Sequence, residues 1–273
     1  MRKKITFYKM QATGNDFLVL DNRQQEIPHQ DVALWSRLCT RRTGIGADGV
    51  LFLENSDSCD FHMRYLNSDG KPAKMCGNGT RAITLFAHQI LKLNRSAKYQ
   101  FTTDNGEYSA LITSPSVVQI EMGNFSDRAE YTIEDLASYD TRLKDQFYIN
   151  SGVEHLVLKV DEVDRFDLTK LAPPLRSHSS LPYGANINLV QLLGENHLKI
   201  RTFEKGVEGE TLSCGTGTVA AALAAEPFFN IAETKIRVTT SGGDIFIHPA
   251  VDRESALFSG EVQIIFSGST ILN

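Results

Sequence analysis

The sequence predicts an α/β chain of two pseudo-symmetric halves, each a curved, mostly antiparallel sheet or barrel wrapped around one central helix. The first reason is a duplicated motif: Met75-Cys76-Gly77-Asn78-Gly79-Thr80-Arg81-Ala82 reads as a copy of Ser213-Cys214-Gly215-Thr216-Gly217-Thr218-Val219-Ala220. The second is a nearly constant offset. Cys214 follows Cys76 by 138 residues, while Arg201 follows Arg64, and Thr239 follows Thr102, by 137. The third is that each motif opens a segment apolar on most faces, which must be a buried helix. The expected division is 1–118 with a returning strand 262–273, and 119–261.

The elements follow in chain order. Ile5 to Asp21 reads as two strands broken at Thr13-Gly14-Asn15-Asp16. Asp31 to Arg42 has helical spacing through Val32, Leu34, Trp35 and Leu38, with Asp31 as N-cap. Thr43 to Gly49 is too glycine-rich for helix. Val50–Leu53 and Phe61–Leu66 read as strands, and Asn67-Ser68-Asp69-Gly70 turns the chain. A helix follows through Leu91, and Asp104-Asn105-Gly106 marks a hairpin that Gly242-Gly243 repeats. Ser114 to Met122 leads into the second half. There, Phe147–Asn150 and Leu156–Val160 repeat the strand-turn-strand opening, Pro173-Pro174 interrupts the chain, and the small-residue helix after Cys214 is expected to stop at Pro227.

Composition limits the function. In 273 residues, 41% hydrophobic and 22% charged, the net charge of -5 offers no basic surface for nucleic acid. No apolar run approaches the roughly 20 residues of a membrane span. The start of the chain reads as a strand and not as a signal-peptide core, so a cytoplasmic location is expected. Small molecules are the expected partners. Cys39, Cys59, Cys76 and Cys214 are too few for a disulfide scaffold and form no CxxC pair, and the histidines lack metal-ligand spacing. Cys39 and Cys59 read as packed or incidental thiols.

Cys76 and Cys214 are different because each stands at a helix entrance. There, unpaired N–H groups and the helix dipole pull a thiol below its free pKa of about 8.5. If the halves face each other, the backbone of Gly77, Asn78, Gly215 and Thr216 could hold a carboxylate. One thiolate would then remove the α-proton while the other thiol returns one to the opposite face, inverting the centre without metal or other cofactor. A redox dithiol is the rival chemistry, although such pairs usually carry CxxC or a resolving neighbour. A phosphate loop is weaker still, for want of Walker or Rossmann spacing.

Phe7-Tyr8-Lys9-Met10 through Gly14-Asn15-Asp16-Phe17, Asn67-Ser68-Asp69-Gly70 through Gly79, and Arg201 through Gly217 resemble the diaminopimelate epimerase family over almost the whole chain. The resemblance implies a pyridoxal-phosphate-independent isomerase of lysine and peptidoglycan precursor biosynthesis, with Cys76 and Cys214 as acid and base. It implies that Asn15, Asn67 and Asn186 bind substrate amino and carboxylate groups, and that Glu204 and His155 tune the thiols. It also implies a homodimer with Phe266 at the contact, and a C-terminal strand returning to the first half. Four positions depart from the family pattern. Lys205 replaces an arginine, Val153 and Glu154 replace Asn-Pro, and Gly49 replaces a glutamine. All four concern the distal end of the substrate, which keeps a racemase of another amino acid open as the alternative.

Overall fold

The computed structural model describes every residue except 1, 2, 74, 94, 95, 128–130, 233, 234 and 273, and divides into two compact units, Met1–Ile120 with Gly260–Asn273, and Glu121–Ser259. The first unit runs β1 (Lys3–Ala12), β2 (Asn15–Asp21), α1 (Val32–Cys39), β3 (Gly49–Glu54), β4 (Phe61–Asn67), α2 (Gly77–Phe86), β5 (Lys98–Thr103), β6 (Gly106–Ser114) and β7 (Val117–Gly123). The second runs β8 (Ser126–Asp127), β9 (Asp145–Asn150), β10 (Glu154–Lys159), α3 (Leu168–Arg176), β11 (Asn186–Gly194), β12 (His197–Glu204), β13 (Gly209–Thr211), α4 (Gly215–Phe229), β14 (Ile236–Thr240) and β15 (Gly243–Pro249). Two strands cross the division: β7 runs past Ile120 into the second unit, and the last strand, β16 (Ser255–Leu272), begins in the second unit and ends in the first.

In the first unit β1 to β7 are neighbours in sequence order, and β16 lies between β7 and β1, closing an eight-stranded barrel. Its register against β1 runs from Lys3 opposite Leu272 to Ala12 opposite Val262. Closure leaves no exposed barrel edge. The barrel is filled by α2, all ten residues of which are buried against β1 to β4 and β6. Strand β3 is buried at every position because it is covered on both sides. Leu51 approaches Gly79 of α2 on one side, while Val50 and Phe52 join Trp35 and Leu38 of α1 in a cluster on the other.

The second unit repeats the plan. Strands β2 and β3 pair in parallel, as do β10 and β11; β4 and β5 pair in parallel, as do β12 and β14. Each parallel step brackets a helix: α1, α3, α2 and α4 in turn. One helix touching β9 to β12, β14 and β15 requires the sheet to curl around it, and α4 does so through residues small enough for strands to approach closely. The short β13 pairs with the end of β12, and the equivalent place in the first unit holds an isolated antiparallel bridge between Leu66 of β4 and Pro72.

Two expectations about proline are corrected. The helix after Cys214 does not stop at Pro227 but continues to Phe229. Proline withholds the N–H that would bond the carbonyl four residues back, that of Leu223. Arg253, far along the chain, donates its guanidinium to that carbonyl and pairs with Glu226. Nor do Pro173 and Pro174 interrupt the chain, since both lie inside α3. They stand on its exposed face with Thr169 and Lys170, whose freed carbonyls water can solvate, while Leu168, Leu171, Ala172 and Leu175 stay buried. Asp31 accepts from the Leu34 amide as N-cap of α1, which ends at Cys39 and not at Arg42.

Candidate active site

Cys76 and Cys214 are the N-cap residues of α2 and α4, with nearly the same backbone angles, φ -123° and ψ 117° against φ -110° and ψ 113°. In each case the carbonyl of the cysteine takes the first helical hydrogen bond, from Thr80 N at 2.8 Å and Thr218 N at 3.0 Å. Neither side chain caps its own helix. The thiols therefore stand at the positive ends of buried helices, beside first-turn amides that have no acceptor within the helix.

In the first unit the β1–β2 turn is built against this entrance. Thr13 and Gly14 have φ of 49° and 83°, and Thr13, strained there as a β-branched residue, is held by Arg81 Nη2 donating to its hydroxyl at 3.0 Å. Asn15 donates Nδ2 to Asp48 at 2.8 Å, which turns its Oδ1 toward Cys76 Sγ at 3.6 Å and Asn78 Nδ2 at 3.4 Å. Asp48 is held by Arg41, which also grips Asp16, and Asp16 pairs with the nearly buried Lys9 at 2.6 Å. Burial alone would raise the Asp16 carboxyl, but Arg41 and Lys9 outweigh it and hold it at about 2. Its stabilising effect is thus complete above the unfolded pKa of about 3.9 and is lost as pH falls toward 2. Asp16→Asn is expected to flatten the acid limb of a stability-against-pH curve over that window; an unchanged slope would contradict the network's role.

Arg81, fully buried in α2, lies with its guanidinium against Gly260, where an added Cβ would come within 3.2 Å of Cζ. Burial lowers its pKa to about 9, opposed by its attraction to Cys76, so it remains a cation at neutral pH. Asn67 ends β4, paired in register with Gly49. A side chain at Gly49 has no room, because its Cβ would meet the Tyr65 ring at 2.6 Å. Phe266 lies on β16, about half exposed, edge-on to Phe7.

In the second unit the β9–β10 turn is pinned in the same way, by Ser151 Oγ donating to the Thr216 carbonyl at 2.9 Å. His155 is completely buried, with Nε2 2.9 Å from Thr216 Oγ1 and Nδ1 3.0 Å from Asn188 Nδ2; Thr216 Oγ1 lies 3.5 Å from Cys214 Sγ. Burial depresses the imidazole to about 3, so it is neutral. Asn186 accepts from the Lys205 amide at 2.8 Å and donates to the Glu154 carbonyl at 3.0 Å. Glu204 accepts the Thr211 hydroxyl at 2.5 Å. Of the departures from the family pattern, Lys205 Nζ donates to the Tyr183 carbonyl at 2.7 Å, Val153 is exposed, and Glu154 accepts from Asn150 at 2.9 Å.

The first unit brings Asn15 and Asn78 together with Cys76, and the second sets Thr216 against Cys214, His155 against Thr216 and Asn186 against His155. Asn188, Thr202, Arg81 and Asp48 also belong to these surroundings, although their sequence positions do not mark them as site residues. Asn186 and Asn188, two residues apart at the apolar start of β11, are the signal the sequence offers. Cys39 is buried, and burial raises its thiol to about 11. Among the described residues no group of three or more His, Cys, Asp or Glu is placed to hold a metal ion, and no helix is long and apolar enough to cross a membrane.

The arrangement of strands and central helices recurs in the crystal structure of a PhzF-family phenazine biosynthesis protein from Bacillus anthracis. The TM-score is 0.76 at 16% identity, over 99% of this chain and 100% of that one. It recurs in a hydroxyproline epimerase from Agrobacterium vitis, with TM-score 0.59 at 13% identity, over 99% and 92%. These likenesses define the fold class, the two-unit α/β fold shared by those proteins. The family model for diaminopimelate epimerase matches residues 7–126 and 147–265. The diaminopimelate epimerase of Flavobacterium psychrophilum is 37% identical over 254 residues, 92% of this chain and 93% of its own length. That of Methanocella arvoryzae is 37% identical over 279 residues, 97% and 99%. The chain belongs to the diaminopimelate epimerase family.

Proposed function

We propose that this chain interconverts LL- and meso-diaminopimelate, with Cys76 and Cys214 as the acid–base pair at the α-carbon. The observation that carries the reading is that a member of this family presents a cysteine at the N-cap of a buried helix in each of its two units. The amides of Gly77, Asn78, Gly215 and Thr216 would take the α-carboxylate. As the α-proton leaves, charge moves onto that carboxylate, and the helix ends stabilise it without an added cofactor. One thiolate removes the proton; the other thiol delivers one to the opposite face, and the roles exchange in the reverse direction. Asn15, Asn67 and Asn186 supply amide hydrogen bonds to substrate. His155, being neutral, acts on Cys214 through the Thr216 hydroxyl, and Glu204 is the corresponding acidic neighbour.

Lys205 is the cation available for the distal carboxylate, where it makes a point contact in place of the planar grip of arginine. Its tie to Tyr183, with Val153 and Gly49, also favours one second reading, a racemase or epimerase of another amino acid. The two are separated by chiral chromatography of LL-diaminopimelate, L-lysine and L-proline after incubation with reduced protein. Formation of the meso isomer alone is expected; racemisation of a monoamino acid with diaminopimelate untouched would overturn the substrate assignment. A place in lysine and peptidoglycan precursor supply, a cytoplasmic location suited to free thiols, and a homodimer using the Phe266 face complete the proposal.

A further inference from the structure

Beneath Cys214 lies a hydrogen-bonded chain whose direction can be read atom by atom. Asn188 Nδ2 lies 3.2 Å from the Leu156 carbonyl and 3.3 Å from the Asn186 carbonyl, so this atom is the amide nitrogen and a donor. Its Oδ1 accepts the Thr202 hydroxyl at 2.9 Å. Donation from Asn188 at 3.0 Å makes His155 Nδ1 an acceptor and puts the imidazole proton on Nε2, which lies 2.9 Å from Thr216 Oγ1; Asn186 Nδ2 stands at a longer 3.5 Å from Nε2 and donates its hydrogen to the Glu154 carbonyl at 3.0 Å. With Oγ1 accepting from Nε2, the Thr216 hydroxyl can donate to the sulfur of Cys214, 3.5 Å away. Asn188 and Thr202 also press on the first turn of α4: a Cβ on Gly217 would come within 2.8 Å of Asn188 Oδ1 and 3.3 Å of Thr202 Oγ1.

The registers beneath Cys76 carry different residues. In the matching registers of the first unit stand Phe17, Leu51 and Tyr65, and Gly79 meets Leu51 and Phe17 where Gly217 meets Asn188 and Thr202. Cys76 instead donates to Asn15 Oδ1, an acceptor.

We propose that Asn188 is a positioning residue: by holding His155 in its Nε2–H tautomer it makes the Thr216 hydroxyl a donor to Cys214, which favours the thiolate at that cysteine in the enzyme without substrate. The inference rests on the proposed acid–base role of Cys214, but its test does not require turnover. The charged and titratable groups on the strands around the first turn of α4 have fixed partners. Glu154 is bonded to Asn150, Glu204 to Thr211, Glu210 to Arg201 and Lys205 to Tyr183.

Asn188→Asp is nearly isosteric but places an acceptor opposite His155 Nδ1. The tautomer reverses, and Nε2 draws the Thr216 proton away from sulfur. Asn188→Leu, the residue type of the matching first-unit position, removes the donor without adding charge. The measurement is the pH dependence of iodoacetamide alkylation of Cys214, followed by mass spectrometry in a Cys76→Ala background, with folding checked by circular dichroism. The apparent pKa of Cys214 is expected to rise by about one unit in Asn188→Asp, and by less in Asn188→Leu. In a Cys214→Ala background the Cys76 titration should not move. Nitrogen-15 shifts of the wild-type imidazole should report the proton on Nε2, a readout independent of whether either variant folds. An unchanged Cys214 titration in a folded variant, or the proton found on Nδ1 in the wild type, would overturn the proposal.

Discussion

Cys76→Ala and Cys214→Ala are each expected to lower the rate of diaminopimelate epimerisation by roughly a thousandfold or more, within the range that one positioned acid or base contributes. Inversion needs proton removal from one face and delivery to the other, so neither thiol can stand in for the other. The loss should come without unfolding. Neither side chain caps its own helix, and Asn15 and Thr216 keep their other partners when the sulfur is gone. Serine should rescue little, because its hydroxyl is far too weak an acid to supply an anion at a helix entrance. Cys39→Ala makes the contrast: Cys39 is buried and held protonated by that burial, so its loss should cost stability and leave the rate nearly intact. Steady-state rates and thermal melts of the three variants check the whole set.

Gly217→Ala should have the second largest effect. The added methyl would lie 2.8 Å from Asn188 Oδ1 and 3.3 Å from the Cys214 Cβ. Asn188 cannot swing aside, since His155, Thr202 and two backbone carbonyls fix it. The first turn of α4 must therefore move, and Cys214 moves with it. Overpacking of this kind costs about 1–3 kcal/mol, and a displaced catalytic group loses on the order of a hundredfold in rate. Gly79→Ala is the internal comparison. Its methyl meets the end of the flexible Leu51 at 3.2 Å, which can turn, so a smaller loss is expected in both rate and melting temperature. Equal losses in the two variants would show that Asn188 is not the rigid support described above.

The duplication at offsets of 137 and 138 was legible because it is a property of the string alone, and with it the repeated order of strands and the buried helices at Cys76 and Cys214. Proline reads as a break because its missing N–H frees a carbonyl, but the helix continues wherever another donor reaches that carbonyl. For Pro227 that donor is Arg253, and nothing local announces it. The support beneath Cys214 was hidden for a related reason. His155, Asn188 and Thr202 come from three strands, and only the β10–β11–β12 register brings them together. Likewise, Gly49 reads in sequence as a lost side chain, whereas in the structure the Tyr65 ring fills the place.

The most direct test of the account is deuterium incorporation at the α-carbon of LL-diaminopimelate in heavy water under reducing conditions. The two-thiol reading predicts that meso product formed by the wild type carries solvent deuterium at the inverted centre, and that neither Cys76→Ala nor Cys214→Ala yields deuterated meso product. Meso product formed without solvent deuterium, or formed at wild-type rate by either variant, would contradict it.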